Sequence, residues 1–341
     1  ASRWPALLGD EGFVQVRAMV PEAHNAAVRA QQVYVAFSDG ELRTTSGKRP
    51  ASPIQASSIQ ASAPQLPAAL AQDLRPFTLP AAPRAKHVVT FKDRRDNIWV
   101  FLNHAPANMF TDEFLGELCA TLQSVATLGT AGRIVYLSHF GEYFSLGGDR
   151  SELVRKLGDA DAIAAFAEKA RALIRVITSL DALVVAVVNG TAQGGGLETL
   201  LATDLQVVRT GVKLGLPEIK SGLIPGMGGL TYLQSVNGPA RTKRLVMLGD
   251  LIDAEDAHSW GLVSHVAADP FVAALAVVNN VKSLEAALYM KRILRRDTAE
   301  RLTADIEDWV TYFTRHSEWI DTRRISNSKL VVTARAAMLA G

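Results

Sequence analysis

Two glutamates, Glu198 and Glu218, are the residues best suited to acid–base chemistry. Glu198 directly follows the glycines of "QGGGLETLLATD", and Glu218 lies in the glycine- and proline-rich stretch "LGLPEIKSGLIPGMGG". Two carboxylates that converge on one substrate could act as general acid and general base. The alternatives are that Glu198 only complements a helix dipole and that Glu218 is a solvated loop carboxylate. Spacing along the chain does not decide between these readings.

Two glycine-rich turns accompany these glutamates: "SLGGD" (Ser145–Asp149) and "GGGLE" (Gly194–Glu198). Each follows an apolar run typical of a buried strand and precedes a predicted helix, so backbone N–H groups can project into a cleft. If both turns faced one point, their N–H groups would form an oxyanion hole. The alternative is that the glycines only make tight strand-to-helix turns. Phosphate binding is less favoured, because neither a P-loop lysine nor the G-x-G-x-x-G spacing is present.

Strands and helices alternate through the part of the chain that contains these turns. The runs "HVVTF", "NIWVFLN", "RIVYLSH" and "ALVVAVVNG" predict strands, while a segment beginning at Thr111 and "DAIAAFAEKARALIRVITSL" predict helices. The stretch "LQVVRTGVKLGLPE" predicts a further strand pair, and the pattern after Asp253 is mostly helical to the C-terminus. This alternation indicates an α/β domain whose sheets are covered on both faces.

Three segments are expected along the 341 residues. Residues 1–45 contain a short predicted helix and two alternating strands, "VQVRAMV" and "QQVYVAFSDG", and are too few to bury a core of their own. Residues 46–86 are rich in Pro, Ala, Ser and Gln and predict a semi-rigid extended linker. Residues 87–341 form the predicted catalytic body.

Composition excludes several classes of function. With 36 basic and 34 acidic residues, a net charge of +2 provides no basic field for nucleic acid or an anionic membrane surface. No apolar run is long enough for a membrane span. A single cysteine, Cys119, rules out an intrachain disulfide and favours a cytoplasmic location. The histidines lack metal-ligand spacing, so no metal site is expected.

The motifs "FSLGGD", "AVVNGTAQGGGLETLLATDL", "LGLPEIKSGLIPGMGG" and "GDLIDAEDAHSWGLVSHV" occur in the order and spacing of the crotonase superfamily. The chain from about residue 87 onward therefore resembles the enoyl-CoA hydratases and isomerases. The resemblance implies a ClpP/crotonase-like spiral of ββα units over residues 87–268, followed by a helical trimerisation region over 269–341. It also implies a homotrimer or a hexamer.

The resemblance assigns roles to individual residues. The catalytic glutamates correspond to Glu198 and Glu218, and the oxyanion-hole N–H groups to Leu146 and Gly195. The first oxyanion residue is usually small in this family, so the bulkier Leu146 is a departure that could reshape the acyl pocket. Further expected substrate-binding residues are Phe144, Gly147, Asp149, Pro217, Pro225 and Gly226.

The implied reaction is hydration or dehydration of an enoyl or 3-hydroxyacyl thioester, with or without a double-bond shift, through a stabilised enolate. It needs no cofactor other than the CoA or phosphopantetheine that carries the acyl group. The N-terminal segment resembles the last helix and hairpin of methyltransferase domains in modular polyketide synthases. It therefore favours a synthase domain acting on an acyl carrier protein. The alternatives are a free-standing hydratase, isomerase or hydrolase of acyl-CoA, and a non-enzymatic or RNA-binding homologue.

Overall fold

The computed structural model describes the strand backbones 15–19 and 33–37 together with residues 65–80, 86–129, 133–295 and 298–315. The chain divides into two units, Ala1–Ser62 and Ala63–Gly341. In the first unit, β1 (Gln15–Met19) pairs antiparallel with β2 (Val33–Phe37), which confirms the two strands predicted there. The helices predicted at the two ends of the chain, near residues 3–9 and 328–341, lie outside the described residues.

The described residues of the second unit form two sheets. Its strands are β3 (Arg75–Pro76), β4 (Val88–Lys92), β5 (Ile98–Leu102), β6 (Ile134–His139), β7 (Tyr143–Ser145), β8 (Leu183–Val188), β9 (Thr191–Gln193), β10 (Leu205–Arg209), β11 (Lys213–Gly215), β12 (Leu251–Asp253) and β13 (His265–Ala267). The seven-stranded sheet has the order β13-β10-β8-β6-β5-β4-β3, with β5, β6, β8, β10 and β13 parallel. The four-stranded sheet has the order β12-β11-β9-β7.

Helices cover these sheets. They are α1 (Asp112–Thr127), α2 (Arg150–Arg155), α3 (Ala160–Ser179), α4 (Gly195–Leu201), α5 (Gly229–Leu248), α6 (Ala254–Ser259), α7 (Pro270–Asn279), α8 (Leu284–Leu294) and α9 (Thr298–Arg315), and a 3₁₀ helix spans Pro217–Ser221. Side-chain caps mark the starts of α1 and α2, because Thr111 and Asp149 accept the N–H groups of Phe114 and Glu152. The α/β architecture predicted from the alternation of strands and helices is confirmed.

Both faces of the seven-stranded sheet are buried, as its continuous apolar strands predict. In β8, Val184, Ala186 and Val188 pack into the larger core cluster with residues of α1 and α3. The alternate residues of the same strand pack into a second cluster with Trp99 and Phe271, on the face covered by α7. Because successive side chains of a strand point to opposite faces, one apolar run supplies both cores.

Two expectations about chain organisation differ from the structure. The stretch "LQVVRTGVKLGLPE" forms β10 and β11, which lie in different sheets because β10 pairs with β8 and β13 while β11 pairs with β9 and β12. Within the predicted extended linker, residues 65–80 pack against the body: Leu70, Leu74 and Leu79 are buried in its two clusters. The apolar spacing of Leu66, Leu70 and Leu74, four residues apart, supplies the driving force for that packing.

Among the described helices, none is by itself long and apolar enough to cross a bilayer. Only α7 and α8 taken together, bent by 101°, reach that length and composition.

Candidate active site

Two strand-to-helix turns come together at one point of the second unit, β7 to α2 and β9 to α4. Gly147 has φ of +81°, and a Cβ on it would lie 2.8 Å from the backbone nitrogen of Gly195. Gly194 has φ of +54°, and a Cβ there would lie 2.9 Å from Oε1 of Glu218. Both positions favour glycine because the backbone has a positive φ, and a Cβ would press on the second turn at Gly147 and on the Glu218 carboxyl at Gly194.

The hydrogen bonds of the first turn determine which N–H groups remain for a ligand. The N–H of Leu146 donates to the carbonyl of Ala107 at 3.2 Å, so it is already used within the fold. A parallel bridge joins Phe110 to Gly148 through the N–H of Asp149 and the carbonyl of Gly147. The N–H of Gly148 takes no part in that bridge.

The second turn presents the backbone of Gly195. This glycine is the first residue of α4, and the first N–H groups of a helix have no intrahelical acceptor. Gly148 and Gly195 both line the same two cavities, so the two glycine-rich turns reach one site. This arrangement is compatible with the predicted oxyanion hole, but the N–H of Leu146 is already used within the fold, and Gly148 is the better candidate for the first donor.

Glu198 lies in the first turn of α4 and is 1% exposed. Its Oε1 accepts the N–H of Met227 at 2.8 Å and the N–H of Gly229 at 2.7 Å. Two N–H donors on one oxygen, at the positive end of a helix, stabilise a negatively charged carboxylate. The loop that follows the 3₁₀ helix therefore holds Glu198 in a defined position.

Glu218 is in the 3₁₀ helix and differs electrostatically from Glu198. The residue is only half-buried, yet its Oε2 is buried and has no hydrogen-bond partner among the described residues. Burial raises the pKa of Glu218 to about 8, and the negative charge of Glu198 acts in the same direction. At neutral pH the pair therefore contains one carboxylic acid and one carboxylate, the combination required for acid–base catalysis.

Two cavities meet at Glu218. The apolar cavity contains both glutamates among its walls. Its other walls are mostly hydrocarbon, from Phe110, Phe166, Ala167, Ala170, Leu223, Ile224, Met227, Trp309 and Phe313. The second, called the Arg150 cavity, is lined by Leu146, Arg150, Gly194, Pro217 and Ser221. Gly148, Leu153, Gly195, Glu218 and Leu223 line both.

Helix α9 covers the apolar cavity. The indole N–H of Trp309 donates to the carbonyl of Ile224 at 3.1 Å, and the hydroxyl of Tyr312 donates to the carbonyl of Gly222 at 2.8 Å. Both acceptors belong to the loop that follows Glu218. The helix and this loop are thus joined by hydrogen bonds, and the aromatic side chains close the hydrocarbon end of the cavity.

The other predicted substrate-binding residues are distributed differently. Pro217 and Gly226 line the Arg150 cavity and the apolar cavity, respectively. Phe144, Gly147, Asp149 and Pro225 are not among the residues that line these two cavities. Phe144 is fully buried against the ring of His139, and the Asp149 carboxylate caps α2.

Several site residues were missed in the sequence. Gly148 lies within the motif "FSLGGD" and Arg150 directly follows it. The sequence does not show which N–H of this turn is free, because that depends on the bridge to Phe110. Trp309 could have been suspected from the aromatic spacing of "DWVTYF". Among the described residues, no group of three or more His, Cys, Asp or Glu side chains is arranged to hold a metal ion.

Comparison with known proteins shows the family to which the chain is similar. The enoyl-CoA hydratase/isomerase family model matches residues 94–322. A protein named probable enoyl-CoA hydratase from Bacillus subtilis (strain 168) is 33% identical over 186 residues, which cover 54% of this chain and 69% of that protein. Mitochondrial methylglutaconyl-CoA hydratase of Rattus norvegicus is 35% identical over 159 residues, which cover 47% of this chain and 50% of that protein. The aligned region thus spans half the length of the rat protein.

Solved structures share the fold. The crystal structure of an enoyl-CoA hydratase/isomerase from Mycobacterium paratuberculosis aligns with a TM-score of 0.64 at 23% identity, over 74% of this chain and 100% of that one. The crotonase-like fold expected from the motifs is thereby confirmed. Since the family model matches well over half of the chain, the protein belongs to the enoyl-CoA hydratase/isomerase family of enzymes.

Proposed function

We propose that this protein is a lyase that adds water to, or removes it from, the 2,3 position of an acyl thioester. The observation that carries the proposal is the pairing of Glu198, held as a carboxylate by two N–H donors, with Glu218, whose raised pKa favours the acid form. Both line one cavity together with the backbone of Gly148 and Gly195. A general base, a general acid and two oxyanion donors are the groups that enolate chemistry requires.

In the hydration direction, the carboxylate of Glu198 takes a proton from water while the water oxygen bonds to C3 of the enoyl group. The electron pair of the C2–C3 double bond moves toward the thioester, and its oxygen becomes an enolate oxygen held by the N–H groups of Gly148 and Gly195. Glu218 then gives its proton to C2, and the carbonyl re-forms. The product is a 3-hydroxyacyl thioester. A proton passes from Glu198 back to Glu218 to restore the pair, and dehydration follows the same steps in reverse.

Activity measurements on matched amide variants test the assignment of the two carboxyls. We expect Glu198→Gln and Glu218→Gln each to lower kcat for hydration by at least about 10²-fold, because each removes a proton-transfer group. Loss of the conjugated enoyl-thioester absorbance reports the rate. Glu142→Gln, which changes an exposed glutamate before β7, is the control and should leave kcat unchanged. Wild-type rates in both cavity variants would exclude this mechanism.

A double-bond shift is the second candidate reaction. A carboxyl whose pKa is about 8 releases and regains its proton near neutral pH, which is what moving a proton between C2 and C4 requires. In deuterated water, an isomerase would convert a 3-enoyl thioester into a 2-enoyl thioester that carries deuterium from the solvent but no added oxygen. Mass spectrometry of the product separates this outcome from hydration.

The carrier of the acyl group is proposed to be the phosphopantetheine arm of an acyl carrier protein within a polyketide synthase. Support comes from the resemblance of residues 1–45 to the end of a synthase methyltransferase domain, in which β1 and β2 correspond to the hairpin. The proposal requires no other cofactor. The kcat/KM for a carrier protein loaded with an enoyl group should exceed the kcat/KM for the same enoyl group on CoA. Equal values would favour a free-standing enzyme that acts on acyl-CoA.

Light scattering would measure the predicted trimer or hexamer, and fractionation of cells would test the predicted cytoplasmic location.

A further inference from the structure

Arg150 is a charged residue of the site that the proposed mechanism does not use. It is the first residue of α2, directly after the capping residue Asp149, and its side chain lines the Arg150 cavity. Burial lowers the pKa of its guanidinium, while the charge of Glu218 opposes that change. Among the described residues, the guanidinium has no hydrogen-bond or ion-pair partner.

A partly buried arginine without a partner is costly, because desolvation of the charge is not compensated. Several other basic residues of this unit have carboxylate partners. Lys291 and Arg295 both contact Asp204, and Arg292 contacts Asp181 at 2.6 Å. Arg150 differs from these three residues because it is partly buried beside a cavity and has no such partner among the described residues.

Glu218 does not neutralise this charge. Its carboxyl is in the acid form below a pH of about 8, and no hydrogen bond joins it to Arg150. The same cavity is lined by Ser221, a buried residue that adds a hydroxyl group. An unpaired guanidinium in a cavity that is also lined by a serine is suited to an anion with two acceptor oxygens.

The position of the charge restricts which anion it can meet. Arg150 interacts electrostatically with Glu218, the group that acts on C2 of the acyl chain. Phosphate groups of CoA or of a carrier protein are separated from the thioester by the whole length of the pantetheine arm. An anion beside Glu218 must therefore belong to the acyl group itself.

We propose that Arg150 binds a carboxylate on the acyl chain, so that the enzyme prefers acyl thioesters with a second, free carboxylate. This inference rests on the proposed function, since it names the substrate class of the same site. The apolar cavity receives the hydrocarbon part of the substrate, and the Arg150 cavity receives the charged end. A bound carboxylate also places a further negative charge near Glu218, which favours the proton on that carboxyl.

Binding of unreactive, saturated thioesters tests the inference without turnover. Succinyl- and butyryl-pantetheine have the same number of acyl carbons and differ in a terminal carboxylate, and glutaryl- and valeryl-pantetheine form a second pair. By titration calorimetry, we expect the wild type to bind the carboxylated member of at least one pair about 10- to 100-fold more tightly. Arg150→Met should abolish the preference and leave affinity for the neutral member within about 3-fold. Arg150→Lys should retain part of it, because a lysine keeps the charge but not the planar fork.

The control is Arg155→Met, which removes an exposed arginine at the other end of the same helix and should keep the preference. Equal affinity of the wild type for both members of each pair would overturn the inference and leave the proposed function intact. An equal loss for both members in Arg150→Met would also overturn it, since the residue would then only support the site. Failure of the wild type to bind any of the four thioesters would overturn the inference, whereas the proposed function is decided separately by the activity of the two amide variants.

Discussion

The raised pKa of Glu218 has a direct consequence for stability. A carboxyl whose pKa is higher in the folded protein than its ordinary value of 4.5 binds a proton more tightly when folded. Its contribution to the free energy of unfolding is fully present below pH 4.5 and is lost as the pH rises through about 8. The wild-type protein should therefore become less stable over this range, and replacement of Glu218 by the neutral amide glutamine should remove that loss.

The size of this loss of stability depends on the pH range over which Glu218 can be observed without His139. His139 is buried and accepts the N–H of Asn189, and burial lowers its pKa to about 4 from an ordinary value of 6.5, so it makes stability rise with pH between those values. Above pH 6.5, His139 no longer changes stability with pH, and of these two residues only Glu218 does so. Each pH unit is worth roughly 1.4 kcal/mol, so the range from 6.5 to about 8 corresponds to about 2 kcal/mol.

Guanidinium chloride titrations at a series of pH values measure this difference. We expect the free energy of unfolding of the wild type to fall by about 2 kcal/mol relative to Glu218→Gln between pH 6.5 and 8. Glu142→Gln, at an exposed position, should follow the wild type. Parallel curves for the wild type and Glu218→Gln would show that the carboxyl is already ionised at neutral pH, and the acid role would have to be reassigned.

Two further predictions concern the packing around the site. A Cβ on Gly196 would lie 2.3 Å from the carbonyl oxygen of Ser145, so Gly196→Ala should lower the free energy of unfolding by about 1–3 kcal/mol. Gly116 lies in α1 with open space around it, so Gly116→Ala should raise the free energy of unfolding by about 0.5–1 kcal/mol. Equal effects of the two substitutions in denaturant titrations would contradict the described contact between β7 and α4. Trp309→Ala should enlarge the apolar cavity and raise kcat/KM for longer acyl chains relative to shorter ones, and an unchanged chain-length profile would show that the acyl chain lies elsewhere.

Much of the fold followed from local patterns. Apolar runs of strand length and helix-length amphipathic segments alternate from residue 88 onward, and the structure has strands and helices at these places. The prediction of an extended linker was wrong for residues 65–80, where Leu70 and Leu74 are buried. The proline-rich composition had outweighed the four-residue spacing of these leucines in that prediction. Whether such leucines pack depends on the presence of an apolar surface nearby, which is not a property of the segment itself.

The candidate site was also only partly predictable from local sequence patterns. The residue types and their order were enough to single out Glu198, Glu218 and the two glycine-rich turns. The sequence could not predict that the two carboxyls differ in their affinity for a proton. That difference arises because the N–H groups of Met227 and Gly229 donate to Glu198, whereas the Oε2 of Glu218 is buried without a hydrogen-bond partner among the described residues.

The sequence by itself determined that two strands each lead through a glycine-rich turn into a helix and that Glu198 follows one of these turns, because periodicity and glycine placement are local properties of the chain. Only the tertiary structure decided that the two turns meet and which N–H of "SLGGD" is left without a backbone acceptor. Ala107 accepts the N–H of Leu146, and the bridge to Phe110 leaves that of Gly148 unused. The availability of a backbone donor depends on acceptors from distant parts of the chain, which are brought near only when the sheets and helices pack together.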